Sequence, residues 1–349
     1  MIIIGGGSFQ FALAQHISAS DLKQIRAKED SLRTIVRHMY LDTLPTAPDA
    51  QPGKQVDSDN PFLNRRPAPR INTASRLRND SLFIRTLVRA LRLKNSFGYP
   101  FDSLAGISHL YAPDSSFRIF TWNLQYNESE FLRHGAIQMR TPDGSLKLYN
   151  LRDISDLTDS PLDSIRTKDN WIGSVYYNII RNTYRGKNYY TLFGINEYLA
   201  TKKKWIEVLT FNNQQMPEFG GIFDFSKDSV PKQSMVRYFI EYKREASALV
   251  NYVDEQGMIL LDHLTSEENH PDLPYTMVPD GDSEGFQWKD GKWMHVEKVF
   301  HYKQDMRGVD PMLGNPPMGD PILDKDSNIN GEKLDQHPGK TKVKVKKKG

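Results

Sequence analysis

Alternating apolar positions between residues 117 and 150 predict three antiparallel strands joined by tight turns. The first run, FRIFTWNLQY, is apolar on both faces, which carry Phe120, Trp122, Leu124 and Tyr126 on one side and Phe117, Ile119 and Thr121 on the other. Side chains alternate between the two faces of a strand, so this pattern indicates a central strand that is covered on both sides. The runs FLRHGAIQMR and SLKLYN follow, with the turn residues TPDG between them, and complete a β-meander.

Similar strand and turn patterns continue to about residue 300. Runs rich in aromatic and β-branched residues recur at residues 171–182, 189–196, 204–212, 235–242, 248–253, 258–263, 285–288 and 292–299. Asp290 and Gly291 form the strongest hairpin signal, because a two-residue hairpin turn requires left-handed backbone. About ten to twelve strands in total predict a mainly β domain at residues 106–305. We expect an antiparallel β-meander domain built as a propeller-like ring, an open barrel or a sandwich.

An N-terminal helical arm is predicted before the β domain. Residues 15–45 hold an amphipathic helix in which Leu22, Ile25 and Leu32 recur at helical spacing after a capping Ser20. The histidine near its end, His38, suits the negative end of the helix dipole, so we interpret it as a structural residue.

A second, basic amphipathic helix and its connection to the sheet are predicted at residues 79–105. Asn79 or Asp80 is the expected cap, and the apolar stripe consists of Ile84, Leu87, Val88 and Leu91. Arginines lie largely off this stripe, which favours a helix packed on the sheet with its basic side in water. Contact of this basic side with an acidic membrane surface is the alternative.

Three further segments have compositions that do not predict packed structure. Residues 1–14 are apolar and small and end in ALA, the small-residue pattern of a signal peptidase site, although the basic start of a signal peptide is missing. Residues 46–78 form a proline-rich linker, and residues 306–349 form a disordered, lysine-rich tail. No other apolar run approaches the roughly 20 residues that span a bilayer, so we expect an exported, periplasmic protein without a transmembrane segment.

Charge and composition exclude several classes of function. The net charge is +3, but six lysines lie in the last ten residues, and without them the net charge is −3. A nucleic-acid-binding domain needs a basic face on its folded part, so we expect no nucleic acid partner. The absence of cysteine excludes disulfides, thiolate metal sites and cysteine nucleophiles.

Candidate polar residues cluster late in the β domain. Asp262 and His263 end an apolar strand, and Asp280, Asp282 and Glu284 bring three carboxylates together within five residues. Adjacent strand residues point to opposite faces, so Asp262 and His263 do not naturally form an acid–base pair, and Asp280 is expected in a turn. These five residues are the candidate binding residues. His134 and His295, single histidines on strands, are interpreted as packed residues.

Other chemical signatures are weak. The acidic stretch at residues 324–331 has oxygen ligands at alternate positions but fails a calcium-loop pattern in either register. The sequence contains no nucleotide-binding, zinc-protease or serine-hydrolase motif, so we expect no cofactor, no metal and no catalytic residue recognisable from sequence. The five tryptophans are interpreted mainly as core, with a carbohydrate-stacking platform as the alternative.

Several runs of residues resemble a known kind of protein. They include YPFDSLAGIS, SSFRIFTWN, WIGSVYYNI, YYTLFGIN, EYKREASALVNY and VPDGDSEGFQWKDGKWMHVEKV. Over about residues 95–300 the chain is similar to a family of uncharacterised exported proteins of Bacteroidetes-type Gram-negative bacteria. The resemblance implies export to the periplasm or envelope, and it transfers no activity and no site residues.

These observations lead to three hypotheses. The first is a non-enzymatic envelope protein that binds a protein or a glycan through sheet rims or loops. The second is an envelope hydrolase whose site is assembled from strand ends, with Asp262 or His263 among its residues. The third is a membrane-surface adaptor that uses the basic helix and the lysine-rich tail.

Overall fold

The computed structural model describes residues 16–43, 70–127 and 129–299. Strands account for 42% of the structure and helices for 20%, which confirms a mainly β protein with a helical N-terminal part. The predicted signal peptide, residues 44–69 of the linker region, the calcium-loop-like stretch and the lysine-rich tail lie outside the described residues.

Helix α1 (Ala19–Leu41) confirms the first predicted helix, with a different cap. The Oγ of Ser18, rather than that of Ser20, accepts a hydrogen bond from the Asp21 N–H at 3.0 Å. Such a bond satisfies one of the free N–H groups in the first helical turn. The apolar face of the helix is buried, and it includes Ile25, Leu32, Ile35, Val36 and Met39.

Helix α2 (Thr73–Leu91) starts six residues before its predicted beginning. Asn72 is the cap, and its Oδ1 accepts from the Ser75 N–H at 3.1 Å. The predicted cap residue Asp80 instead lies buried inside the helix, where it accepts from Trp122 Nε1 at 3.1 Å. It also lies 3.0 Å from Nε2 of His134, which stacks on Trp122. The predicted cap of α2 was wrong because Asp80 packs against the sheet and does not start the helix.

The first sheet contains the predicted meander. Its strands are β1 (Ser108–Tyr111), β2 (Phe117–Gln125), β3 (Phe131–Met139) and β4 (Lys147–Leu151). They lie in chain order, and every pair is antiparallel. β2 and β3 pair along nine residues, from Phe117 opposite Met139 to Gln125 opposite Phe131.

The second sheet has six strands. They are β5 (Arg166–Thr167), β6 (Val175–Tyr184), β7 (Lys187–Glu197), β8 (Thr201–Phe211) and β9 (Pro217–Phe219), together with β11 (Tyr238–Lys243). The order is β5-β9-β8-β7-β6, and β11 pairs with the first half of β8. β6 and β7 are joined by the two-residue turn of Arg185 and Gly186, both of which have positive φ, 49° and 76°. The strands predicted within residues 171–182 and 189–196 are therefore joined as a tight hairpin.

The third sheet has five strands. They are β10 (Phe223–Asp224), β12 (Val250–Val253), β13 (Met258–Ser266), β14 (Met277–Lys289) and β15 (Lys292–Val296), in the order β10-β15-β14-β13-β12. β10 runs parallel to β15, and the other pairs are antiparallel. Asp290 and Gly291 form the predicted turn between β14 and β15, where Lys289 pairs with Lys292.

The two helices and three sheets stack in chain order, with one apolar core between each pair of neighbouring layers. Between the helices and the first sheet lie residues such as Leu87, Phe83, Phe120 and Trp122. Phe117, Ile119, Trp171 and Leu192 lie between the first and second sheets, whereas Phe193, Val208, Phe286 and Trp293 lie between the second and third. Helices cover the outer face of the first sheet. Each sheet is an open series of strands, so the described residues form a sandwich-like stack and no closed barrel.

The tryptophans are mostly core residues, as the sequence indicated. Trp122, Trp171, Trp205 and Trp293 are buried, and Trp288 is half-buried against Tyr189 and Trp293. Burying a ring of this size removes about 150–250 Å² of surface from water, which strongly favours the interior. An exposed platform of five tryptophans is therefore not formed.

Candidate functional site

The five predicted binding residues all lie on β13 and β14, around an irregularity in their pairing. Asp262 pairs with Ser283, but Leu264 pairs with Pro279, so His263 lies at a bulge opposite residues 280–282. The expected turn at Asp280 is wrong, because β14 runs through residues 280–284 as a strand. The residues that the sequence predicted as a turn instead form a β-bulge, which bends the strand locally. Gly281 adopts a φ of +94° at this bulge.

At this bulge His263 and Asp280 form a surface pair. His263 Nδ1 lies 2.7 Å from Asp280 Oδ2. Burial raises the pKa of the Asp280 carboxyl, but its hydrogen bonds to His263 and to the Asp282 N–H together outweigh burial and lower the pKa below its ordinary value. The Asp282 N–H donates to Asp280 Oδ1, whereas Asp262 Oδ2 accepts from the Leu249 N–H. Asp262 and His263 thus have different partners, as expected for adjacent strand residues. The pair is exposed, at 49% for the His263 side chain and 27% for that of Asp280.

The fifth candidate, Glu284, belongs to a buried group that the sequence did not indicate. His295 on β15 lies between two carboxylates, with Nδ1 at 2.9 Å from Asp228 Oδ2 and Nε2 at 3.2 Å from Glu284 Oε2. Tyr238 on β11 donates its hydroxyl to Glu284 Oε1 at 3.3 Å. These four residues come from four separate segments, and we refer to them as the His295 cluster.

The two carboxylates of the His295 cluster favour the charged form of the imidazole. Burial lowers the pKa of His295, but hydrogen bonds to Glu284 and Asp228 outweigh burial and raise the pKa above its ordinary value of about 6.5. With both ring nitrogens engaged by carboxylates, neither is available to accept a proton from a substrate. The cluster therefore fixes the segment that carries Asp228 to the third sheet.

This cluster predicts a pH-dependent contribution to stability. A raised pKa in the folded state means that the contribution is complete below about pH 6.5 and is lost as the pH rises through the folded-state pKa. We expect His295→Asn to lower the free energy of unfolding by about 1–3 kcal/mol at pH 6. The difference from wild type should shrink as the pH rises, as measured by urea unfolding between pH 6 and pH 9.

His263→Asn is the matched control, because its ring is half-exposed and its partner lies at the surface. A surface pair contributes little, so this variant should stay within about 1 kcal/mol of wild type at every pH. If the loss of unfolding free energy caused by His295→Asn grew with rising pH, the assignment of a charged imidazole would be contradicted.

A cleft of about 650 Å³ lies where three turns of the first two sheets meet. The turns are residues 112–116 between β1 and β2, the β6–β7 hairpin tip, and residues 212–216 between β8 and β9. Each contains a non-glycine residue with positive φ, namely Ser115, Arg185 and Gln215. Left-handed backbone costs such a residue about 1–2 kcal/mol, so surrounding contacts must hold these turns in shape.

Asp114 anchors one wall of the cleft. Its carboxylate accepts hydrogen bonds from Ser116 Oγ at 2.7 Å and from the Tyr190 hydroxyl at 2.8 Å, and Arg181 lies at 3.3 Å. Burial raises the pKa of Asp114, but these donors outweigh burial and hold the pKa below its ordinary value. The carboxylate is therefore ionised at neutral pH and fully engaged with neighbouring side chains.

The rest of the lining combines aromatic rings with amides. Tyr190 and Phe211 pack edge to face above Phe117, with the Tyr190 and Phe117 ring centres 4.8 Å apart. Asn188, Asn213 and Gln215 line the cleft beside them. The turn before β9 is stiffened by Asn212, whose Oδ1 accepts from the Gln214 and Met216 N–H groups and whose Nδ2 donates to Glu218.

The described residues contain no group of three or more His, Asp or Glu side chains arranged to hold a metal ion. None of the helices in these same ranges combines the length and the apolarity needed to cross a bilayer.

The fold is thus a helix-covered stack of three β-sheets with a polar cleft at one end of the first two. No family model, curated protein or solved structure matches the chain.

Proposed function

We propose that the chain is a non-enzymatic, exported binding protein whose cleft holds a glycan. The observation that carries this proposal is the combination of amide, charged and aromatic side chains around a single cleft of about 650 Å³. This volume lies within the range of small-molecule sites, about 300–1,000 Å³. A sugar presents hydroxyl groups that both donate and accept, together with apolar C–H faces, which matches amides beside aromatic rings.

The state of Asp114 favours binding over hydrolysis. A glycosidase needs one carboxylic acid with a raised pKa, which protonates the leaving oxygen. Asp114 has a lowered pKa and its oxygens are already occupied by Ser116, Tyr190 and Arg181. A hydrolase that uses the exposed pair of His263 and Asp280 is the competing proposal, and turnover of a bound glycan would favour it.

Export of the protein is the second part of the proposal. It is supported by the signal-like residues 1–14 and by the family resemblance over residues 95–300. The membrane-adaptor alternative is weakened because Leu87 and Leu91 of the α2 apolar stripe are buried in the core that the two helices share with the first sheet. The basic side of α2 thus lacks an apolar face with which to insert.

The cleft is tested by removing two amides. Asn213 is exposed and Asn188 half-exposed, and both line the cleft, so Asn188→Ala with Asn213→Ala should weaken glycan binding about tenfold without loss of stability. Binding is measured by titration calorimetry on the full chain with glycans chosen from an array. The matched control is Gln214→Ala, an exposed amide in the same turn outside the cleft lining, which should leave the affinity within twofold.

Equal loss of affinity in the control and the double variant would contradict the assignment of the cleft. Absence of binding to every glycan on the array would overturn the proposed function.

A further inference from the structure

We infer that the exposed side of α2 binds an acidic polysaccharide through a stripe of four arginines. The members of this arginine stripe are Arg78, Arg85, Arg89 and Arg92. The stripe lies on the helical layer and is separate from the cleft, so the inference goes beyond the proposed function and does not depend on it.

Helical spacing places the four arginines on one line. They follow one another at intervals of seven, four and three residues, and such intervals return to the same side of an α-helix. Arg92 is the C-cap residue and keeps right-handed helical backbone, with φ −73°, so it continues the line. All four arginines are exposed, whereas Phe83, Leu87 and Ala90 on the opposite side are buried. At a rise of 1.5 Å per residue, the stripe is about 21 Å long.

The charge of the arginine stripe is not compensated within the described ranges. Asp80, the single acidic residue of α2, is buried and engaged by Trp122 and His134. No carboxylate of the described residues lies within ion-pair distance of a stripe arginine. Helix α1 differs, because its exposed Arg33 lies 3.6 Å from Asp30.

A line of one sign of charge is unfavourable for the helix itself. Like charges three or four residues apart on a helix repel one another, as Arg85 and Arg92 each do with Arg89. A helix whose outer side only faces water gains stability from alternating signs. The unmixed stripe therefore indicates a partner that supplies the opposite charge.

The charge distribution of the whole molecule favours the same partner. Residues 70–94, which contain α2, hold seven Arg or Lys and one Asp, whereas residues 248–299 hold three Lys and eleven Asp or Glu. The helices and the third sheet, to which the acidic residues belong, lie at opposite ends of the stack. The resulting field steers a polyanion toward α2 and away from the third sheet.

The surroundings of the stripe disfavour a nucleic acid and a membrane as this polyanion. Single-stranded nucleic acids bind to aromatic rings on which bases stack, but Phe83, the one aromatic residue of α2, is buried. Helix α2 lies beside α1 on the first sheet and does not project into a groove of duplex DNA. A helix on a membrane surface inserts its apolar side, which in α2 is buried in the core.

A polysaccharide with carboxylate or sulfate groups supplies what the stripe lacks. An extended acidic chain presents its charges in a line, and a guanidinium group donates parallel hydrogen bonds to two oxygens of one such group. Leu82, which is 39% exposed, lies one turn from both Arg78 and Arg85. It offers an apolar contact for the C–H face of a sugar between two charged contacts.

The experiment is titration calorimetry of the purified full chain at low ionic strength. The acidic probes are an oligogalacturonate and a chondroitin sulfate oligosaccharide, and the neutral probe is a malto-oligosaccharide of similar length. An oligothymidylate and vesicles of phosphatidylglycerol with phosphatidylcholine represent the other two kinds of polyanion. We expect at least one acidic oligosaccharide to bind about tenfold more tightly than every other probe. Raising the salt concentration should weaken this binding, because the arginines are exposed.

The test variant combines Arg85→Gln, Arg89→Gln and Arg92→Gln. Gln has a helix propensity similar to that of Arg, so urea unfolding should coincide with that of wild type. Affinity for the acidic oligosaccharide should fall about tenfold, because most of the stripe is removed.

The matched control combines Arg152→Gln, Lys227→Gln and Lys232→Gln. These substitutions remove the same charge from exposed positions outside the helices, so affinity for the acidic oligosaccharide should stay within about twofold of wild type. The cleft variant, with Asn188→Ala and Asn213→Ala, should also keep this affinity, because the two sites are separate.

Equal affinity for acidic and neutral oligosaccharides, or a stripe variant that binds as tightly as wild type, would overturn the inference. Tighter binding of the oligothymidylate or of the vesicles would overturn it in favour of that partner. Loss of the acidic oligosaccharide in the cleft variant would place the binding in the cleft and not on α2. Failure of every probe would remove the arginine stripe as a binding site and leave the cleft to its own test.

Discussion

Replacing Glu207 by Ala is expected to lower the free energy of unfolding by about 3–5 kcal/mol, the largest loss anticipated for a single substitution in the second sheet. Glu207 and Arg237 form a buried ion pair with Nε and Oε1 2.9 Å apart, and the Arg237 side chain is fully buried. Tyr176 donates to the other Glu207 oxygen at 2.7 Å, and Trp171 donates to Tyr176. The substitution would leave the guanidinium charge buried without its carboxylate.

Urea unfolding measures this loss, with Glu267→Ala as the matched control. Glu267 forms an exposed pair with Lys243 at 2.7 Å, and such pairs contribute below about 1 kcal/mol. Replacing both Glu207 and Arg237 by Met should cost less than the sum of the two single replacements, because no unpaired charge remains. Similar costs for Glu207→Ala and Glu267→Ala would show that the buried network does not exist in solution.

Replacing Arg118 by Ala is expected to cost about 3 kcal/mol. Arg118 lies on β2 and is fully buried, and burial lowers its pKa to about 10, so it stays charged at neutral pH. Its guanidinium donates to Gln138 Oε1 at 2.8 Å and to the Ser96 and Tyr99 carbonyls, and it packs on the rings of Phe101 and Phe120. The substitution leaves a cavity and buried acceptors without donors.

The control for Arg118 is Arg140→Ala at the end of β3. Arg140 is exposed, so its loss should change the free energy of unfolding by no more than about 0.5 kcal/mol. Arg118→Lys tests the geometry further, because a lysine keeps the charge but cannot place donors toward three acceptors. If Arg118→Lys were as stable as wild type, charge alone would explain the residue.

The part of the fold that is local in sequence was predictable. The two apolar faces of β2 were read from alternation, and the structure buries Phe120 and Trp122 under the helices and Phe117 and Ile119 against the second sheet. Asp290 and Gly291 likewise form the predicted turn, since the preference of that pair for left-handed backbone needs no distant contact.

Features that depend on distant contacts were missed or misplaced. Arg118 interrupts an apolar run, and its acceptors come from Gln138 on the neighbouring strand and from the Ser96 and Tyr99 carbonyls, which are distant in the sequence. Residues 280–284 look like a turn by composition, but pairing with β13 holds them in a strand. The start of α2 was misplaced because Asp80 is drawn into the core by Trp122.

Dependence on distant contacts also explains why the predicted and the observed site residues differ. Glu284 was a candidate, yet its partner His295 was interpreted as a plain packing residue, and Asp228 lies on a segment far along the chain. The cleft is formed by three short turns. These turns come together only because the first two sheets pack against each other. Residues 112–116 (APDSS) and 185–188 (RGKN) have the composition of turns, but a single sequence gives no signal that they converge.

The most direct test of the cleft as the binding site is hydrogen–deuterium exchange of the full chain with and without a glycan that binds in the array. Binding at the cleft predicts slower exchange in residues 112–116, 184–188 and 211–216 and unchanged exchange at the bulge around residues 262–264 and 279–283. Protection confined to the bulge, or to the helices, would contradict a binding site at the end of the first two sheets.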